Sequence, residues 1–226
     1  MFDSCRNLTY SLTHQIGAEI IQGRYGKGNF PTEAELSIEY KISRNVIREA
    51  IKMLTAKGLI SSRPRKGITV MPSECWNMFD PDVLIWTLSA RPGMDLLREF
   101  TQLRMAIEPE AARLAAANSM DGMLINSISL SFLAMKKKNI SQQEFLEADI
   151  QFHSAILSAS KNPYFLQMRQ FVALALRCRF ANKGEYSKIS QYLSENQKIL
   201  DAIFVGDEEM AFHSARAFLS KELYSL

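Results

Sequence analysis

Asp149 and His153 stand four residues apart in the segment EFLEADIQFHSAIL. On a helix that spacing puts an acid and an imidazole on one face, on the side that also carries Phe145, Phe152 and Ile156. Polar groups beside an apolar stripe cost free energy unless they are paired, metal-bound or turned toward a polar ligand. Two arrangements fit the spacing: a hydrogen bond between the pair across one helical turn, or both side chains aimed at one ion or small molecule. Arg104, in the apolar run LRMAIEPEAARLAA, likewise suits a buried carboxylate, either Glu108 four residues on or an anionic ligand. Arg177 and Arg179 are further candidates for the same pocket, with a surface role as the alternative.

A second constellation is cationic. Arg44, Asn45 and Arg48 open a helical segment, and Arg63, Arg65, Lys66 and Gly67 cluster in the loop RPRKG that follows it. In that segment Ile47, Ala50, Ile51 and Leu54 recur at helical spacing and define an inward stripe. At about 100° per residue, Arg44, Arg48 and Lys52 fall on an outward arc with Asn45 beside them. Arginine can make a two-pronged contact to guanine and asparagine to adenine, each worth ~1–3 kcal/mol of discrimination. A basic loop on a hairpin can enter the minor groove or grip phosphate, with an affinity that falls steeply as salt rises.

The elements that must hold these residues are readable. A first helix runs from about Leu8 to Gly23, with Leu12, Ile16, Ile20 and Ile21 at helical spacing. A second starts at Thr32, where T-E-A-E forms a capping box with Glu35, and buries Leu36 with Ile38 or Tyr40. The third is capped by Ser43 and stops at Gly58; short strands at 59–62 and 68–71 then flank the basic tip. Helix, turn, helix and a basic hairpin fit the DNA major groove with a finger reaching beside it. Beyond Val70 the strand signals fade. Helices are expected near 77–90, 94–117, 121–138, 141–160, 163–182, 188–205 and 207–224, joined by short links. The fold class is thus mostly α: residues 1–72 form a winged helix-turn-helix domain, and residues 73–226 an all-α antiparallel bundle large enough for a pocket.

Composition narrows the function. With 47% hydrophobic and 23% charged residues, the 226-residue chain is ordinary globular material. Its net charge of +3 is uneven: residues 1–72 carry eleven Lys/Arg against six Asp/Glu, and the rest is slightly acidic. A polyanion would be sought by the first third. Cys5, Cys75 and Cys178 are odd in number and far apart, which argues for a reducing, cytoplasmic setting. Neither a membrane-length apolar run nor a signal-peptide pattern is evident.

The run PTEAEL, then SRNVIREAIKMLTAKGLI, then a basic wing ending in KGITV resembles the winged helix of the GntR family of bacterial transcription regulators. Two residues depart from that pattern: Ala34 stands where an Arg touching DNA is usual, and Asn45 where Thr is commonest. The resemblance implies that Arg44, Arg48 and the Lys66-Gly67 tip contact DNA, and the whole DNA-facing set expected is Thr32, Glu33, Ser43, Arg44, Asn45, Arg48, Arg63, Arg65, Lys66 and Gly67. It extends through FDPDVLIWTL, LLREFTQLRMAIEPEAARLAA, D-x-x-F-H and ILDAI-x-x-GD to the FadR-type branch with an FCD effector domain, near regulators of sugar-acid catabolism of the galactonate type.

In that branch an Asp, a His four later and two further His hold a divalent metal, and an Arg grips the effector's carboxylate. Here Asp149 and His153 match the first two ligands and Arg104 the clamp, but Asn196 and Phe218 replace the other two His, and His213 is a poor substitute. Asn oxygen is a weak ligand for zinc or nickel, and Phe is none. No obligatory cofactor is therefore expected, and any divalent metal on Asp149, His153 and Asn196 should be weakly held.

The resulting expectation is a homodimeric repressor on a palindromic operator, away from membranes. A small carboxylate, such as a sugar acid contacting Arg104, Asp149, His153, Asn196 and Arg177, would control it. A metal-dependent enzyme, or a regulator whose pocket no longer functions, are the alternatives.

Overall fold

Apolar spacing in the first third closes around one small core. The computed structural model describes residues 2–26, 30–63, 67–91, 93–183 and 189–224, in two compact units, Met1–Arg91 and Pro92–Leu226. Helix α1 (Phe2–Ile21) turns Leu12, Ile16 and Ile20 inward. It begins several residues before the expected Leu8. Helix α2 (Glu33–Tyr40) starts with the expected capping box: Thr32 Oγ1 accepts from the Glu35 amide, and the Glu35 carboxylate accepts from the Thr32 amide. Leu36 is fully buried and Tyr40 packs on the core, whereas Ile38 is 78% exposed. Of the two alternatives, Tyr40 is the inward residue; its hydroxyl donates to Glu19 at 2.7 Å.

Helix α3 (Arg44–Ala56) buries Val46, Ile47, Ala50, Ile51 and Leu54. Ser43 occupies its N-cap position, though its side chain makes no capping bond. Gly58 ends the helix at φ 78°, and a Cβ there would lie 2.2 Å from the Cys75 carbonyl oxygen, so only glycine fits. Strands β1 (Ile60–Arg63) and β2 (Gly67–Val70) pair antiparallel from Ile60↔Val70 to Arg63↔Gly67. The hairpin tip, including Arg65 and Lys66, lies outside the described residues.

A short 3-10 turn (Ser73–Cys75) leads to helix α4 (Pro81–Ala90). The sequence boundary at residue 72 would assign this helix to the second domain; it belongs to the first unit instead. Three contacts explain why. The Trp86 ring lies against Gly17 of α1, where a Cβ would come within 2.4 Å of it. The Trp86 indole N–H donates to His14 Nδ1 at 2.9 Å, which leaves the neutral imidazole's proton on Nε2, facing Asp82 Oδ1 at 3.1 Å. Lys57, just past α3, bonds Asp80 at 2.7 Å and Asp82 at 2.8 Å.

The second unit is all helical among the described residues. Helix α5 (Met94–Ala117) runs through its centre, packed on α7 (Gln142–Ala159), α9 (Arg169–Lys183), α10 (Ile189–Val205) and α11 (Glu208–Tyr224). Helix α6 (Gly122–Met135) lies on α7. The single helix expected over 163–182 is broken at Met168 into α8 (Pro163–Gln167) and α9. Asn162 caps its start, accepting from the Tyr164 amide, and Pro163 sits in the first turn.

Candidate functional site

Two groups of residues stand out, one in each unit. In the first unit Arg44, Asn45 and Arg48 are exposed on the opening turns of α3, opposite the buried stripe, and Arg63 is exposed at the end of β1. Gly67 opens β2 with φ 77°. Arg48 is not idle: its Nη2 donates to Glu33 Oε2 at 3.1 Å, and its Nε approaches the same carboxylate at 3.3 Å. Glu33 thus aims the guanidinium from the first turn of α2, and any group that engaged this guanidinium would have to share or take over that contact. Thr32 is exposed with its hydroxyl engaged in the capping box. Exposed Ser43 and the outward Lys52, bonded to Glu49 at 2.8 Å, complete the face.

The second group lies inside the helical unit. Arg104 is 1% exposed, and Glu108, Asp149, His153 and Asn196 of the same unit are buried as well. Its Nε and Nη2 donate to the two Glu108 oxygens at 2.5 and 3.2 Å, and its Nη1 donates to Glu222 Oε2 at 3.1 Å. Glu222 Oε1 in turn meets Arg179 Nε at 2.7 Å. His153 Nδ1 faces Glu108 Oε2 at 2.8 Å, while its Nε2 stands 3.6 Å from Asp149, too far for a hydrogen bond. The expected Asp–His bond is therefore not made: the imidazole bridges from α7 to α5. Asp149 instead accepts from the Tyr192 hydroxyl at 2.8 and 2.7 Å.

Charge balance follows from this wiring. Burial opposes the charge on Glu108, but Arg104 first and His153 next outweigh it and hold the carboxyl at about 2. Burial raises the Asp149 pKa, partly offset by His153, Arg179 and Tyr192. Burial and the Asp149 charge together push the Tyr192 phenol well above its ordinary value, so it stays a donor. Arg179 lies over the Tyr192 ring, 4.5 Å from its centroid.

Arg177 departs from the expected set. It is exposed and bonds Glu147 at 3.0 Å on the surface, because the inward face of α9 runs through Val172, Ala175, Leu176 and then Arg179. Tyr192 and Glu222 were not anticipated, yet helical spacing could have found them. Tyr192 is four residues before Asn196 on α10, and Glu222 four after Phe218 on α11.

The donor set does not fit a tightly held transition metal. Phe218, at the position where the resemblance implies a His, stacks on His153 with centroids 5.9 Å apart. The Tyr192 hydroxyl takes both Asp149 oxygens, and Asn196 offers only an amide. Among the described residues no three His, Cys, Asp or Glu converge in a metal-binding arrangement. Buried polar atoms are nonetheless left over: His153 Nε2 and both amide atoms of Asn196 have no hydrogen-bond partner among the described residues.

Comparison with known proteins matches both units. Residues 8–70 fit the family of bacterial regulatory proteins, gntR family, and residues 99–221 fit the FCD domain; helix α4 falls between the two matched stretches. The galactonate operon transcriptional repressor of Escherichia coli K12 is 33% identical, covering 95% of this chain and 94% of its own. The HTH-type transcriptional regulator YieP of the same organism is 31% identical over 95% of this chain and 93% of its own. Two solved structures share the fold. Streptococcus agalactiae GntR has TM-score 0.53 and 20% identity, covering 97% of this chain and 99% of its own. Lar of Listeria monocytogenes has TM-score 0.58 and 16% identity, covering 96% and 97%. The chain accordingly belongs to the GntR family of bacterial transcription regulators, in the FadR-type branch that joins a winged helix-turn-helix to an FCD domain.

Proposed function

We propose that this regulator is a repressor whose hold on its operator is weakened by a small hydroxylated carboxylate bound around Arg104. The observation that carries the reading is a buried guanidinium in the same helical unit as buried polar atoms of Asn196 and His153 that have no partner among the described residues. An unsatisfied buried polar group costs about 1–3 kcal/mol, which hydroxyl groups of a ligand would remove while its carboxylate meets arginine. A sugar acid has both kinds of group. The name of the galactonate operon repressor supports that class.

The acidic and basic groups of the cluster are tied into ion pairs, which supports binding over catalysis. The site works without a tightly held metal; any divalent ion on Asp149, His153 and Asn196 is weak and exchangeable. The protein acts as a homodimer on a palindromic operator in the cytoplasm. An exposed Cys75 outside any disulfide agrees with a reducing setting, and among the described residues no helix is long and apolar enough to cross a membrane. Binding at the helical unit lowers DNA affinity through a coupling of ~1–3 kcal/mol, about 5–150-fold.

The test is a thermal-shift screen of sugar acids, hydroxy acids and dicarboxylates, followed by operator titration with each stabilising acid. A dose-dependent rise in Tm with weakened DNA binding is expected. Acids that neither stabilise the protein nor change its DNA affinity would refute the reading.

A further inference from the structure

Glu222 occupies the place of a ligand. Its carboxylate sits on the last turns of α11 with one oxygen on Arg104 Nη1 at 3.1 Å and the other on Arg179 Nε at 2.7 Å. Its side chain is only 10% exposed. Two guanidiniums on different helices, α5 and α9, therefore flank one carboxylate, Arg104 through a hydrogen bond to one oxygen and Arg179 through an ion pair with the other. Each is also held by another partner, Arg104 by Glu108 and Arg179 by the face of Tyr192. Each arginine thus keeps one contact besides Glu222. This is a preformed carboxylate site with a resident supplied by the chain.

We propose that Arg104 and Arg179 form the anion-binding site of this protein and that Glu222 is its built-in competitor, so an incoming carboxylate binds by exchange with Glu222. The proposal deepens the organic-acid reading above and rests on it. Exchange preserves the charge of the cluster, because one carboxylate replaces another; a neutral molecule of the same shape would leave the buried Arg104 and the half-buried Arg179 under-compensated. It also releases the two ion pairs that join the last turns of α11 to Arg104 on α5 and Arg179 on α9. Phe218 lies one turn earlier on α11, stacked on His153, so the departing turn is continuous with the residues around Asp149.

Chemical rescue tests this directly. Glu222→Ala removes a group the size of propionate, and the full-length variant is melted with increasing sodium propionate or propionamide at constant ionic strength. The variant should melt below the parent and recover saturably with propionate, by about 3 °C at ten times the half-saturating concentration. Propionamide should not rescue it, and the parent should respond at least tenfold less sensitively to propionate. Adding Arg179→Met to the variant should abolish the rescue. Should Glu222→Ala not fold, Glu222→Gln takes its place: its isosteric amide keeps the packing but is a neutral, weaker competitor for the two cations, so a saturable propionate response at lower concentration than in the parent is expected.

Equal responses in parent and variant, rescue by propionamide, rescue that survives loss of Arg179, or no rescue at all would each overturn the proposal. DNA takes no part in this readout. Failure here would place the effector elsewhere without touching the regulator reading, whereas DNA binding indifferent to every acid would sink that reading and leave the rescue standing.

Discussion

Arg104→Ala is the most revealing substitution in the helical unit, and its cost can be worked from the geometry. Burial alone would raise the Glu108 pKa, yet Arg104 and then His153 hold it at about 2 against an ordinary 4.5. That difference corresponds to about 3 kcal/mol of preference for the charged carboxylate, and with so little of the side chain exposed there is almost no solvent screening to subtract. Deleting one partner of a buried ion pair independently suggests a loss of ~3–5 kcal/mol. The variant should therefore lose about 3 kcal/mol in urea unfolding at pH 7, followed by circular dichroism.

The sign of the pH dependence is fixed. A carboxyl whose folded pKa lies below its unfolded one stabilises the fold above about 4.5 and loses that contribution as pH falls toward 2. In the variant, burial acts on Glu108 without its guanidinium, so acid relieves a penalty instead of removing a benefit. The gap between parent and variant should be widest near pH 7 and narrow below pH 4.5. A gap under 1 kcal/mol at pH 7, or one of equal size at pH 3, would refute the reasoning.

Other substitutions probe the remaining links. Arg48→Ala should weaken specific DNA binding by about 10–100-fold, from ~1–3 kcal/mol of lost base contact, with an unchanged melting curve; unaltered anisotropy titrations would remove Arg48 from the interface. The double variant Asn196→His with Phe218→His should acquire a zinc- or nickel-dependent rise in Tm that the parent lacks, and no such rise would mean these positions do not converge on Asp149 and His153. Gly17→Ala should destabilise the first unit by ~1–3 kcal/mol through overpacking against Trp86 and shift the indole fluorescence maximum; an unperturbed emission spectrum and stability would show that α4 is not seated there.

Much of this was legible because it rests on helical period and capping. The stripe Ile47, Ala50, Ile51 and Leu54, the Thr32–Glu35 box and most helix limits of the bundle follow from local rules. Three features did not, each for a physical reason. Helix α4 has an apolar face, Val83, Leu84 and Trp86, that composition alone could assign to either unit. Only the Cβ-free notch at Gly17 and the Lys57–Asp80–Asp82 ion pairs settle where it docks. Arg177 and Arg179 are chemically alike and two residues apart, so they point to nearly opposite sides of α9; the buried Val172, Ala175 and Leu176 already marked 179 as the inward position. Asp149 and His153 share a face without bonding each other, since partners from α5 and α10 outcompete the within-helix contact. Contacts at sequence separations of 43 and more lie beyond what spacing can specify.

The most direct measurement is selection of double-stranded DNA from a random library by the full chain, followed by titration of the winning sequence with a stabilising sugar acid. Enrichment of a two-half-site palindrome, released as the acid is added and lost with Arg48→Ala, is the predicted result. A library that returns with no sequence enriched, or an enriched sequence bound equally well by Arg48→Ala, would contradict it.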